Sequence, residues 1–135
     1  MNIVTWSPEY SVGVEKFDEQ HQILFDIVNE LFTAMSEGKG QAELEEVFKR
    51  LIEYTKTHFA SEERMMQAYQ YPEFSGHLAQ HQDLTNRVLD YQGQYLAGKI
   101  GLSLPIIQFL KSWLTNHILV EDKKYSTFFE SKGIQ

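Results

Sequence analysis

The stretch LIEYTKTHFASEERM, Leu51 to Met65, decides the fold. At 3.6 residues per turn it sets Leu51, Thr55, His58, Glu62 and Met65 on one face. Apolar spacing of threes and fours is the pattern of an amphipathic helix, and no period-2 alternation survives here or elsewhere in the chain. The core face of this helix therefore carries a histidine and a glutamate one turn apart. A lone histidine on such a face is most often a core residue hydrogen-bonded to a neighbour. Glu62 alone reads as a buried acid paired with Lys56 or Arg64, or as a residue at a wet edge.

Working outward, the same helix runs from about Gln41 to Tyr69, with Leu44, Phe48, Met65 and Tyr69 continuing its stripe. Before it, Asp18 reads as an N-cap, and Leu24, Val28, Leu31 and Met35 recur with helical spacing beside Phe25 and Phe32. Gly38-Lys39-Gly40 stops that helix. After it, Pro72 suits the first turn of a third helix carrying Phe74, Leu84, Val88, Tyr91 and Tyr95. Gly98 and Gly101 bracket the next break. Ser103 then offers a cap, Pro105 falls in the first turn, and Ile106, Leu110 and Trp113 open a fourth stripe. The first seventeen residues, with Pro8 and Gly13, read as an arm. Short connections between amphipathic helices predict antiparallel neighbours. The fold expected is all-α: an up-down-up-down antiparallel four-helix bundle with an N-terminal arm and a short C-terminal extension, in one domain over residues 1–135.

Composition narrows the function. With 135 residues, 42% hydrophobic and 23% charged, the chain can bury one core. A net charge of −7 opposes sequence-independent nucleic-acid binding. No apolar run approaches the roughly 20 residues that cross a bilayer, so no membrane insertion is expected. The start lacks the pattern of a signal peptide. Cysteine is absent, which excludes disulfides and thiolate metal sites and suits a reducing cytoplasm, the location expected.

Extending each stripe brings out the residues foreign to a core. His21 fills a slot on the first helix, His58 and Glu62 on the second, His77 and His81 on the third, and His117 on the fourth. All five histidines of the chain thus face inward. Unpartnered, each buried polar group would cost on the order of 1–3 kcal/mol. A shared metal centre would satisfy them together. His58/Glu62 and His77/His81 are i, i+4 pairs, each on one helix face. Nitrogen and carboxylate donors without sulfur suit iron or manganese, with zinc possible. The set is too rich for one four-coordinate zinc, so two metals fit better.

Four runs, DEQH (Asp18 to His21), HFASEE (His58 to Glu63), HLAQH (His77 to His81) and HILVED (His117 to Asp122), stand in order across the chain. In them the sequence resembles the hemerythrins, especially the stand-alone bacterial ones, from the Trp6 arm to Tyr125. The resemblance implies a single hemerythrin-like domain with two iron ions, cycling between ferrous and ferric and joined by an oxo or hydroxo bridge. His77, His81 and His117 would bind one iron, His21 and His58 the other, and Glu62 and Asp122 would bridge them. Of the twelve positions around two octahedral irons, that set and the bridging oxygen leave one open, on the iron with fewer histidines. The resemblance makes it the site of molecular oxygen, lined by Phe59, Trp113, Leu114 and Ile118. Those four also read as ordinary core.

One position resists simple geometry. On a regular helix Asp122 lies about 140° around from His117, whereas Glu121 lies at i+4 on the favourable face. The family pattern selects Asp122, which requires a widened turn or a helix end near residues 117–122. Tyr125 suits either a hydrogen bond to the site or plain packing. The leading functional expectation is an oxygen carrier, store or local supplier, not an enzyme, serving an unidentified protein recipient. A sensor acting with a separate partner and a di-iron oxidase or scavenger are the alternatives. The Glu-x-x-His pairs of carboxylate-rich di-iron oxidases are absent. A plain helical interaction module is the reading without metal.

Overall fold

The computed structural model describes residues 3–38, 41–98 and 104–134. Its helices are α1 (Glu15–Ser36), α2 (Gln41–Ala68), α3 (Phe74–Leu96), α4 (Leu104–Asn116) and α5 (Lys123–Ser131). Between α4 and α5 the backbone makes a π-helical turn, His117–Asp122, flanked by Asn116 and Lys123 in ordinary right-handed helical dihedrals. The α4, π and α5 segments therefore form one continuous fourth helix. Helix α1 packs against α2 and α4, and α2 against α3, closing an antiparallel four-helix bundle. Among the described residues there is no strand, and no helix is long and apolar enough to cross a membrane.

The helix ends differ from the sequence reading in physically simple ways. Helix α1 begins at Glu15, one turn before Asp18, with Val14 at the N-cap. Asp18 instead folds back from the first turn: its carboxylate accepts from the Val12 N–H at 2.8 Å and the Ser11 hydroxyl at 2.6 Å. It thus satisfies the loop instead of the helix end. Helix α3 begins at Phe74, two residues after Pro72, because the Tyr71 N–H first closes α2 by bonding to Met66 C=O at 2.8 Å. That closure holds Gln70 in the left-handed region, φ 57°, a position usually given to glycine. Gly38 (φ 69°) and Gly98 (φ 73°) end α1 and α3 in the same conformation. Pro105 sits in the first turn of α4 as expected, whereas Lys39, Gly40, Gly101 and Ser103 lie outside the described residues.

Burial follows the stripes with one drift. Phe17, Leu24, Phe25, Leu31, Phe48, Ile107 and Phe129 are fully buried. Beyond Glu62, the face of α2 continues through Met66, not Met65: Met66 is fully buried, Met65 is half-buried and Tyr69 is exposed. Following Glu62 by four residues rather than three keeps the stripe in phase.

The arm is docked, not loose. It buries Val4, Val12 and Val14. The Asn29 side chain accepts from the Ile3 and Val4 N–H groups and donates to the Val4 carbonyl. Lys123 Nζ donates to the Ser11 carbonyl at 2.6 Å, tying the arm to the residue after the π turn.

Candidate metal centre

All five histidines, Glu62 and Asp122 are buried, His117 being the most open at 6% exposure. They meet in one layer across the bundle. His77, His81 and His117 bring their Nε2 atoms together: His117 Nε2 lies 3.1 Å from both of the others. Asp122 Oδ1 is 3.0 Å from His77 Nε2 and from His117 Nε2, while its Oδ2 is 3.2 Å from His21 Nε2. Glu62 Oε1 lies 3.2 Å from His58 Nε2 and 3.5 Å from His81 Nε2, and Oε2 is 3.5 Å from His21 Nε2. Both carboxylates thus stand between a group of three histidines and a group of two.

The π turn gives Asp122 its place. In a straight α-helix a residue at i+5 from His117 would turn away from the core. One extra residue per turn brings Asp122 to the phase of an i+4 neighbour and Tyr125 to that of i+7. Asp122 and Tyr125 are accordingly fully buried. Glu121, the i+4 residue by count, is half-buried, with its carboxylate 3.4 Å from Lys124 Nζ. The widened turn that Asp122 calls for is present.

These donors fit metal ions. Adjacent ligands at bond lengths of about 2.1 Å stand about 3 Å apart around one octahedral ion, close to the 3.1 Å that separates His117 Nε2 from the Nε2 atoms of His77 and His81. Both His21 nitrogens, Glu62 Oε1 and both Asp122 oxygens are buried without hydrogen-bond partners. Opposite charges lie close to several of them, but not in hydrogen-bond geometry. Burial and the charge of Asp122 push the Glu62 carboxyl up, yet the imidazoles of His58 and His21 outweigh them and hold it below the ordinary range. Burial likewise raises Asp122, and His117, His21 and His77 reverse it. Burial lowers His21, but Asp122 and Glu62 win and push it up to about 9. The layer thus holds anionic carboxylates that demand positive charge, supplied by an imidazole proton or by a cation.

A surrounding shell fixes the donors. His58 Nδ1 is 2.6 Å from Gln20 Oε1, and His81 Nδ1 is 2.8 Å from Glu63 Oε2. The Tyr125 hydroxyl donates to Glu62 Oε2. Burial pushes that hydroxyl well above its ordinary pKa, so it keeps its proton. Phe59 stacks on His81 with ring centroids 3.7 Å apart, and Trp113 on His117 at 4.4 Å. Gln20 and Glu63 escaped the sequence reading because they sit beside the stripe residues, off the core face. Their only signal is that each buried ring needs a partner for its second nitrogen.

The four expected pocket residues divide. Phe59 and Leu114 line a small apolar cavity of about 30 Å³ with Leu24, Leu51, Thr55 and Leu110. Ile118 is fully buried but does not line that cavity. Trp113 is half-buried and lines a surface groove with Gln80, Asn116 and Val120, outside the cavity.

The family model of the hemerythrin HHE cation-binding domain matches residues 12–129, most of the chain and all seven clustered side chains. The chain belongs to the hemerythrin family. It is 35% identical over 126 residues to the bacteriohemerythrin of Methylococcus capsulatus, covering 93% of this chain and 95% of that one. It is 32% identical over 124 residues to myohemerythrin-1 of Phascolopsis gouldii, covering 89% of each. A solved wild-type hemerythrin is 34% identical and superposes with a TM-score of 0.86, over 93% of this chain and 96% of that one. Two buried groups, Glu62 with His77, His81, His117 and Asp122, and His21 with His58 and Glu62, could each hold a metal ion.

Proposed function

We propose that this chain binds molecular oxygen reversibly at two iron ions. His77, His81 and His117 would hold one ion, His21 and His58 the other, and Glu62 and Asp122 would be shared. The observation that carries the reading is the pair of buried carboxylates set between three histidines and two, beside a small apolar cavity. Iron, when bound there, supplies the electrons that let dioxygen be held and returned.

The chain's own residues govern whether oxygen comes back unchanged. Leu24, Thr55, Leu84 and Leu114 each stand one turn from a clustered histidine (His21, His58, His81 and His117), so the cavity adjoins the layer of donors. Its leucine lining offers water no hydrogen-bond partners and discourages its entry. Thr55 spends its hydroxyl on the Leu51 carbonyl at 2.7 Å, leaving no proton donor free to face the cavity. On the opposite side of the layer, Tyr125 holds Glu62 and packs against Phe17 at 5.8 Å. The arrangement favours binding over turnover: no acid or base lines the cavity. A chain without cysteine suits a reducing cytoplasm, where such a protein would hand oxygen to a protein recipient.

The test is anaerobic reconstitution with ferrous iron, then cycles of oxygen and argon while the visible spectrum is recorded. A colour that forms under oxygen and fades under argon over repeated cycles supports the reading. A single irreversible change overturns it in favour of an oxidase, and failure to retain iron overturns the metal assignment itself.

A further inference from the structure

An imidazole that binds a metal through one nitrogen leaves the other to its surroundings, and His58 and His81, one ring from each histidine group, are served differently there. In the two-histidine group, His58 Nδ1 meets the neutral amide oxygen of Gln20 at 2.6 Å. In the three-histidine group, His81 Nδ1 meets the carboxylate of Glu63 at 2.8 Å. The His81 side chain is 2% exposed and that of Glu63 is 24% exposed. Glu63 lies on the wall of a cleft between α2 and α3, with Lys56, Gln82 and Asn86. It is therefore the acid that reaches from the wet surface to a ring of the buried layer. Phe59, parallel to His81 within 2°, holds that ring in the plane where both contacts are made.

We propose that Glu63 is a positioning residue that acts through His81 in two ways. It keeps the ring proton on Nδ1, leaving the Nε2 lone pair free toward the cluster. It also sets a negative charge behind the ring, making His81 a stronger donor and favouring the higher-charged state of the ion it binds. The inference rests on the two-iron reading above. The physical basis is general: a carboxylate partner fixes the imidazole tautomer and raises its basicity, whereas an amide partner can fix the tautomer alone. Gln20 against His58 is that second case, so the structure carries its own comparison.

Two variants separate orientation from charge. Glu63→Gln retains an oxygen acceptor and removes the charge, while Glu63→Leu removes both. Nitrogen-15 NMR of the metal-free proteins at fixed neutral pH reads the His81 tautomer. It should be Nδ1–H in wild type and Glu63→Gln, and mixed or Nε2–H in Glu63→Leu. Redox titration of the iron-loaded proteins at the same pH reads the charge effect. At a fixed potential, Glu63→Gln should hold about tenfold more of the reduced form, an upward shift of about 59 mV for one electron. Gln20→Glu, which adds a carboxylate behind His58, should shift the potential the opposite way.

A Glu63 whose role is only structural would change thermal stability or iron content and leave the potential alone. An unchanged potential in Glu63→Gln, with wild type taking up iron, overturns the charge role. An unchanged tautomer in metal-free Glu63→Leu overturns the orientation role, whether or not that variant retains iron. Failure of wild type to bind iron counts against the underlying two-iron reading, and the tautomer measurement still decides the orientation role.

Discussion

At the scale of single residues, the inward-facing donors were legible because helical phase puts them where only apolar side chains belong. Five histidines and Glu62 follow from periodicity alone; Asp122 does not, and needed the family pattern to displace Glu121. The structure gives the physical reason, burying Asp122 through a π turn and leaving Glu121 beside Lys124. Asp122→Ala is therefore expected to abolish two-iron assembly, and Glu121→Ala to leave iron per chain unchanged, as read by elemental analysis. The reverse result would return the bridge to Glu121. Tyr125, which sequence left open between bonding and packing, donates to Glu62. Tyr125→Phe should cost about 1.5–3 kcal/mol, the usual worth of a hydrogen bond to a charged group, and weaken iron retention by 10–100-fold. Retention equal to wild type in a chelator competition would reduce Tyr125 to packing. Leu114 lines the cavity and is 9% exposed. Leu114→Ala should keep its iron, lose about 2–5 kcal/mol, and oxidise to the ferric form faster than wild type as water enters the enlarged pocket. An equal oxidation rate at matched temperature and pH would leave Leu114 an ordinary core residue.

At the scale of elements, the helices were readable and their ends were not. Stripes depend on many residues, whereas an end depends on where a few hydrogen bonds go. Asp18 serves the loop instead of capping, and the closure at Gln70 and Tyr71 delays α3 past Pro72. The π turn is the element on which the layer depends, and its exposed side carries Leu119 and Val120. Deleting Val120 would turn the segment into a regular α-helix with the aspartate at i+4 and the tyrosine at i+7 from His117, both still on the inward face. That deletion variant should fold and retain iron. Loss of iron with the fold intact, judged by circular dichroism and metal analysis, would mean that the widened turn does more than keep phase.

At the scale of the whole molecule, the bundle encloses a layer of polar groups that its apolar core cannot satisfy. Metal should therefore stabilise the fold as well as equip it. Removing iron with a chelator should lower the melting temperature, and returning ferrous iron should restore it; equal melting of both forms would contradict the burial reading. The docked arm belongs to the same unit through Asn29 and Lys123, contacts that no periodicity announces. The central claim is that oxygen taken up is oxygen returned. The most direct test is the gas balance of the ferrous protein, measured with an oxygen electrode through uptake and subsequent evacuation. One oxygen bound per two irons, and recovered as oxygen, is the expected result. Oxygen consumed without recovery, with hydrogen peroxide or water as its product, would contradict it and make the protein an oxidase.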